Sequence, residues 1–227
     1  MASNWKTKVL VKDLQVAFGL TNPELNAHVI RLSVLYEDLK IELTGSGATE
    51  IARLEFYGKS ARQQYFIRRT FATLYEFREC FDHLDKSVAF EHVKRRIEQD
   101  PDAAKRWNDC VEFFRDPENE QIITDQRHDF GGHFGEKAAR AVIKELAQEP
   151  GTVIGELEFN RDFTNEKAGM HLRYAEEIAA QAMHRHRGKL THAEWREKLF
   201  TTAKSAFEHA AQAVHVIVIC YVWDRFR

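Results

Sequence analysis

The sequence predicts an all-α protein, a helical bundle with a C-terminal extension of two helices. Over long stretches, apolar side chains recur every three to four residues, which is the spacing of one helix face. Helix-start patterns precede several of these stretches, among them Thr191 with Glu194, and Asp100 followed by Pro101. The alternation typical of a half-buried strand is confined to two short segments.

The apolar spacing places the helices in order along the chain. They are expected over residues 23–43, 60–84, 87–99, from 101 through Phe114, 118–130, 134–147, 166–186 and 191–224. Gly45 and Gly47 follow the first of them, as glycine commonly does at a helix end. The clearest boundary is Pro150-Gly151, which predicts a bundle over residues 1–149 and a helical extension over 150–227 that packs on the bundle or on a second subunit.

One short strand pair is the expected departure from helix. Residues 152–159 alternate, and so do residues 5–11, where lysines take the positions that glutamates take in the later segment. Opposite charges on facing strands would favour their pairing. Residues 4–19 fit a helix equally well, so the pairing is one of two interpretations of the N-terminal segment.

Composition limits the classes of function. The chain has 227 residues and a formal net charge of −2, whereas proteins that coat nucleic acid without specificity are strongly basic, so any nucleic-acid contact here must be local. Cys80, Cys110 and Cys220 lie in apolar runs, which predicts buried core residues and a reducing, cytoplasmic location. The apolar run at 213–223 covers about half of the roughly 20 residues that span a bilayer, so no membrane contact is expected.

Metal and cofactor motifs are missing from the sequence. Neither Glu-x-x-His nor His-Glu-x-x-His occurs, although the chain has 11 histidines, so no metal and no cofactor are expected. The run His184-Arg185-His186 falls at a predicted helix end, where basic residues complement the helix dipole.

The segment TDQRHDFGGHFG, residues 124–135, is the most suggestive for chemistry. On an unbroken helix His133 would be rotated by about 240° about the axis relative to Arg127, so the two would not face one target. The intervening Gly131-Gly132 can adopt backbone angles that other residues avoid, and can turn His133 back toward Arg127. Backbone N–H groups near Gly132, at the start of the next helix, would add an anion site.

These residue types suit a phosphodiester. Arginine matches a phosphate with its forked cation, and histidine transfers protons near neutral pH. Arg127 could therefore hold the phosphate and His133 move the proton while the RNA's own 2′-hydroxyl attacks, with Asp129 orienting an imidazole or an arginine. Two alternatives remain open: the segment holds a phosphate without cutting it, or it is only a helix–Gly-Gly–helix turn.

The arrangement resembles the HEPN superfamily of helical-bundle proteins. Its signature is an Arg, usually followed by a polar residue, then a His after four to six intervening residues; here Arg127 is followed by His128, and five residues separate Arg127 from His133. The resemblance covers about residues 23–147 and leaves 152–227 unexplained. It implies catalytic roles for Arg127 and His133, with His128 as the polar neighbour, while Asp129 is added from its proximity.

The resemblance also implies a function and partners. Many members are metal-independent endoribonucleases of toxin–antitoxin or phage-defence systems, and they dimerise to form one composite site. The expected ligand is RNA or a nucleotide, and the expected protein partners are a second copy of the chain and an antitoxin or another defence-system protein. The alternative is a non-catalytic, dimeric helical module that binds a nucleotide, RNA or a protein partner.

Overall fold

The computed structural model describes residues 22–47, 59–129, 136–148, 151, 157–160 and 169–222. Over these residues the protein is an all-α helical bundle, which confirms the predicted fold class. The helices are α1 (Pro23–Gly47), α2 (Lys59–Lys86), α3 (Glu91–Ile97), α4 (Pro101–Arg115), α5 (Pro117–Asp129), α6 (Glu136–Leu146), α7 (Arg173–Met183) and α8 (His192–Ile217). A 3₁₀ turn (Val88–Phe90) precedes α3, and a π-helical turn (Val218–Val222) continues α8.

Side-chain caps explain where several helices begin. The Asp100 carboxylate accepts hydrogen bonds from the backbone N–H groups of Asp102 and Ala103, at 3.0 and 3.2 Å, at the start of α4. Thr191 and Glu194 form the predicted capping box of α8. Asp116 caps α5 through the N–H groups two and three residues later. The side-chain cap of Asp116 therefore marks the start of α5, the helix that carries Arg127.

A short antiparallel strand pair interrupts the helical order. β1 (Leu157–Asn160) pairs with β2 (Gly169–Leu172), with Leu157 opposite Leu172. β1 contains the end of the strand predicted over residues 152–159. The partner proposed for that strand, residues 5–11, lies outside the described residues. The helix predicted from residue 166 was wrong at its start: it begins at Arg173, because the backbone of residues 169–172 pairs with β1 instead.

The core lies where the three longest helices meet. α1 and α2 run antiparallel, and α8 packs against both and against α4. The fully or nearly fully buried side chains come from all of these helices, among them Leu32, Phe71, Phe81, Trp107, Leu199 and Tyr221. The last helix therefore shares one core with the first two, and the boundary at 149–150 stays a prediction. Cys80, Cys110 and Cys220 are buried free thiols, as predicted.

The last helix and the turn that follows it are long and apolar enough to resemble a membrane-spanning helix by length and mean hydropathy. Within the described residues, His192–Val222 has the length and mean hydropathy of a membrane-spanning helix. Leu199, Ala206 and Val216 of this stretch are buried in the bundle core, whereas Val218 and Ile219 are partly exposed.

Candidate functional site

The C-terminal end of α5 carries the described part of the predicted site. Arg127, His128 and Asp129 form its last turn. Gly132, His133 and the Gly-Gly bend lie outside the described residues. The described site is therefore the last turn of α5 and the side chains that it contacts on α2 and on the α7–α8 turn, residues 184–191.

Arg127 and His128 both lie against one aromatic ring, that of Tyr75 on α2. The Arg127 guanidinium carbon is 5.9 Å from the ring centroid, and the His128 ring meets the Tyr75 ring edge-on at the same centroid distance. A cation over an aromatic face gains about 0.5–1 kcal/mol at an exposed site and more when shielded from water. Tyr75 therefore orders the first two residues of the predicted motif.

Arg78, on the same ring, has a different role. Its guanidinium carbon is 5.2 Å from the Tyr75 centroid, but the side chain is buried and fully engaged. It donates to the Thr124 hydroxyl at 3.2 Å and pairs with Glu120 at 3.1 Å and with Glu79 at 2.8 Å. Because its charge is already compensated, Arg78 fastens α2 to α5 and is not a candidate phosphate ligand.

Asp129 points to the other side of α5, toward the α7–α8 turn. Its Oδ2 accepts from Arg185 Nη1 at 2.9 Å and lies 2.7 Å from His186 Nε2. The other ring nitrogen of His186 lies 3.2 Å from Asp125 Oδ2. Asp129 therefore orients an imidazole and an arginine, but both belong to the α7–α8 turn and not to the motif.

A buried amide makes a second link between α5 and the same turn. Gln126 is fully buried, and its Nε2 donates to the Met183 carbonyl at 3.3 Å. The Trp195 indole of α8 donates to that carbonyl at 2.8 Å. The end of α5, the end of α7 and the start of α8 therefore form one hydrogen-bonded corner.

The partners of Asp129 could not be recognised from the sequence. Arg185 and His186 lie close after α7, which agrees with their predicted place at a helix end, but both contact the carboxylate of Asp129, 56 and 57 positions earlier in the chain. The available signal was weak: two aspartates four residues apart on one helix face, and a basic run elsewhere.

Within the described ranges, no group of three or more His, Cys, Asp or Glu residues is arranged to hold a metal ion. No known family model matches the chain, and no curated protein or solved structure is significantly similar to it. The resemblance to the HEPN superfamily therefore rests on residues 127–133 and on the helical architecture.

The Asp129 cluster gives a first testable prediction. Asp129→Asn should lower the free energy of unfolding by about 1–2 kcal/mol, because it weakens two charge-assisted contacts that are largely shielded from water. Urea unfolding at pH 7 measures the change. Glu136→Gln is the matched control, since Glu136 pairs with Arg140 on the exposed surface of α6 and should contribute little. Equal effects of the two substitutions would contradict a stabilising role for the cluster.

Proposed function

We propose that this protein is a metal-independent endoribonuclease of the HEPN type that cleaves RNA at the C-terminal end of α5. The supporting observation is the common position of Arg127 and His128 on Tyr75 in the last turn of that helix. They are the first two residues of the motif, and the chain reaches His133 five residues after His128. An ordered arginine beside a titratable imidazole suits a phosphodiester.

The proposed reaction uses only groups of the RNA and of the chain. The RNA 2′-oxygen attacks the adjacent phosphorus as its proton passes to a base, and the 5′-oxygen leaves with a proton. The products are a 2′,3′-cyclic phosphate and a 5′-hydroxyl. His133 serves the proton transfer, and Arg127 stabilises the charge that builds on the phosphoryl oxygens.

The other predicted residues have supporting roles. Because Asp129 is held by Arg185 and His186, we assign it as a positioning residue of the last turn of α5. His128 is exposed on the same turn and is the polar neighbour in the motif. Gly132 is assigned, with Arg127, to phosphate binding.

The proposal includes the biological setting that the resemblance implies. Two copies of the chain bring two motifs together, and the protein acts in the cytoplasm within a toxin–antitoxin or phage-defence system. An antitoxin or another defence-system protein is the proposed partner.

One observation favours the second candidate function, a non-catalytic module that binds RNA, a nucleotide or a protein. The charged residues that surround the last turn of α5, Arg78 and Asp129 among them, are satisfied by partners within the bundle. A surface whose charged side chains are already paired within the protein can bind a partner without reacting with it.

An RNA cleavage assay in EDTA separates the two functions. Wild-type protein is incubated with structured and unstructured RNA beside Arg127→Ala and His133→Ala, and we expect each variant to lose about 100-fold or more of the rate, since one preorganised charge-stabilising group contributes that much. Arg140→Ala, an exposed arginine of α6, is the control and should cleave like wild type. Cleavage that survives in both site variants would contradict the proposal. No cleavage by wild-type protein of confirmed size would favour the binding module.

A further inference from the structure

A groove separates the start of α2 from the α7–α8 corner. It consists of two adjoining cavities of about 280 and 320 Å³ that share Gln63, Ile67, Met183 and Arg196 in their walls. Ligand pockets in proteins begin at about 300 Å³, so the groove can accept a small ligand or one unit of a larger one.

The walls of the groove combine amide, carboxylate and apolar groups. Gln181 Nε2 donates to Glu177 at 3.0 Å, and both side chains line the groove with Gln63. Ile67 and Met183 supply apolar surface. Amide and carboxylate groups are the side chains that read the edges of adenine, cytosine and guanine, while apolar surface packs on their faces. The groove therefore suits a planar base with donors and acceptors at its edge.

Positive charge borders the groove. The pair Arg187 and Arg196, here called the basic rim, lies on the α7–α8 turn and in the first turns of α8, and both guanidinium groups act on His184 in the groove wall. Arg187 donates to the His184 carbonyl at 3.2 Å. Arg196 is exposed and lines both cavities, and it has no ion-pair partner among the described residues. Two carboxylates, Glu177 and Glu197, also line the groove, so positive charge is concentrated at the basic rim and is not spread over the whole lining.

His184 lies next to these positive charges. Its side chain is buried in the groove wall and stacks on His192 at 4.3 Å between ring centroids. Burial first, and then the charges of His192, Arg196 and Arg187, lower the pKa of His184 to about 4. Burial is the main cause of this shift, and the guanidinium groups of Arg196 and Arg187 add positive charge beside the groove, which favours an anion there.

The basic rim also adjoins the candidate site. Arg185 and His186, which hold Asp129 at the end of α5, directly precede Arg187 in the α7–α8 turn. The end of α5 and the groove are therefore both in contact with the α7–α8 turn.

We propose that the groove binds one unpaired nucleotide of an RNA strand, with the base between Ile67 and Gln181 and the phosphate on Arg196 of the basic rim. The inference rests on the proposed function for RNA as the ligand, and it assigns the C-terminal extension a part in substrate binding. Single-stranded RNA is expected because a paired base could not enter the groove.

Fluorescence anisotropy with a single-stranded 2′-O-methyl oligoribonucleotide tests the proposal. This probe lacks the attacking hydroxyl, so binding is measured on the full chain without cleavage. We expect Arg196→Gln to weaken binding about fivefold or more and to reduce the slope of log K against log salt by about 0.7, the loss of one phosphate contact. Ala180→Phe, which fills the groove, should weaken binding without changing that slope. Arg140→Gln should bind like wild type.

Each outcome decides for or against the proposal. Wild-type affinity in both Arg196→Gln and Ala180→Phe, or no binding by wild type, would overturn it. So would an effect of Arg196→Gln alone together with full competition by inorganic polyphosphate, which would show a phosphate contact without a base site. Cleavage of unmodified RNA is measured separately: binding with the expected variant effects but no cleavage contradicts only the proposed function, and cleavage unaffected by either variant contradicts only the groove.

Discussion

Glu42→Gln is expected to raise the free energy of unfolding by about 2–3 kcal/mol at pH 8 while changing it little at pH 4. Glu42 is 6% exposed, and its Oε1 accepts from the Thr73 hydroxyl at 2.9 Å. Its Oε2 is buried and has no hydrogen-bond partner among the described residues. Burial raises the pKa of Glu42 from 4.5 to about 7, against the opposing effects of Thr73 and Arg69.

The sign of this prediction follows from the raised pKa. Between pH 4.5 and 7 the folded protein binds a proton at Glu42 that the unfolded chain has released, so stability falls as pH rises through this window. Glutamine keeps an acceptor for the Thr73 hydroxyl and never ionises. The loss of stability between pH 4.5 and 7 is therefore absent from Glu42→Gln. Urea unfolding from pH 4 to pH 8 measures the effect, with Glu37→Gln as the control because Glu37 is exposed. Equal pH slopes in wild type and Glu42→Gln would contradict the prediction.

His184→Phe is expected to have the opposite pH dependence. Burial and nearby cations lower the pKa of His184 to about 4. Between pH 6.5 and 4 the unfolded chain therefore binds a proton at this histidine, whereas the folded protein does not. The stability contributed by neutral His184 is present above pH 6.5 and is lost as pH falls toward 4, by about 2 kcal/mol between pH 7 and pH 5. Phenylalanine retains a ring against His192 and removes a buried Nδ1 that has no hydrogen-bond partner among the described residues.

The unfolding free energy at pH 7 and pH 5 checks the second prediction. We expect His184→Phe to lose less stability on acidification than wild type, while His215→Phe, at an exposed position, should not alter the slope. Glu42 and His184 change the free energy of unfolding over overlapping pH ranges and in opposite directions. Their contributions to its pH dependence therefore largely offset each other in wild type. A combined variant with a steep slope in either direction would show that another group dominates.

Local signals predicted most helix starts well, although α1 continues through Gly45 and Gly47 and so runs four residues past its expected end. Asp100-Pro101 and the Thr191–Glu194 capping box mark helix starts because the groups that satisfy the first N–H donors lie within three residues of them. β2 was missed for the opposite reason. Its four residues are too few to establish a period, and their conformation depends on pairing with β1, at a distance along the chain.

The candidate site shows the same limit. The sequence predicted Arg127, His128 and Asp129 as a group, and the structure places all three in one turn of α5. It could not predict that Tyr75 of α2 would support Arg127 and His128. Nor could it predict that Asp129 would face Arg185, since the contacting partners are far apart in the chain and share no motif.

The most direct test of the central claim compares two versions of one RNA in EDTA. Wild-type protein is incubated with an unmodified strand and with the same strand carrying 2′-O-methyl groups, and the product ends are identified by mass spectrometry. The proposed chemistry predicts cleavage of the unmodified strand alone, products ending in 2′,3′-cyclic phosphate and 5′-hydroxyl, and loss of both in Arg127→Ala and His133→Ala. Cleavage of the modified strand, or products ending in 5′-phosphate, would contradict it.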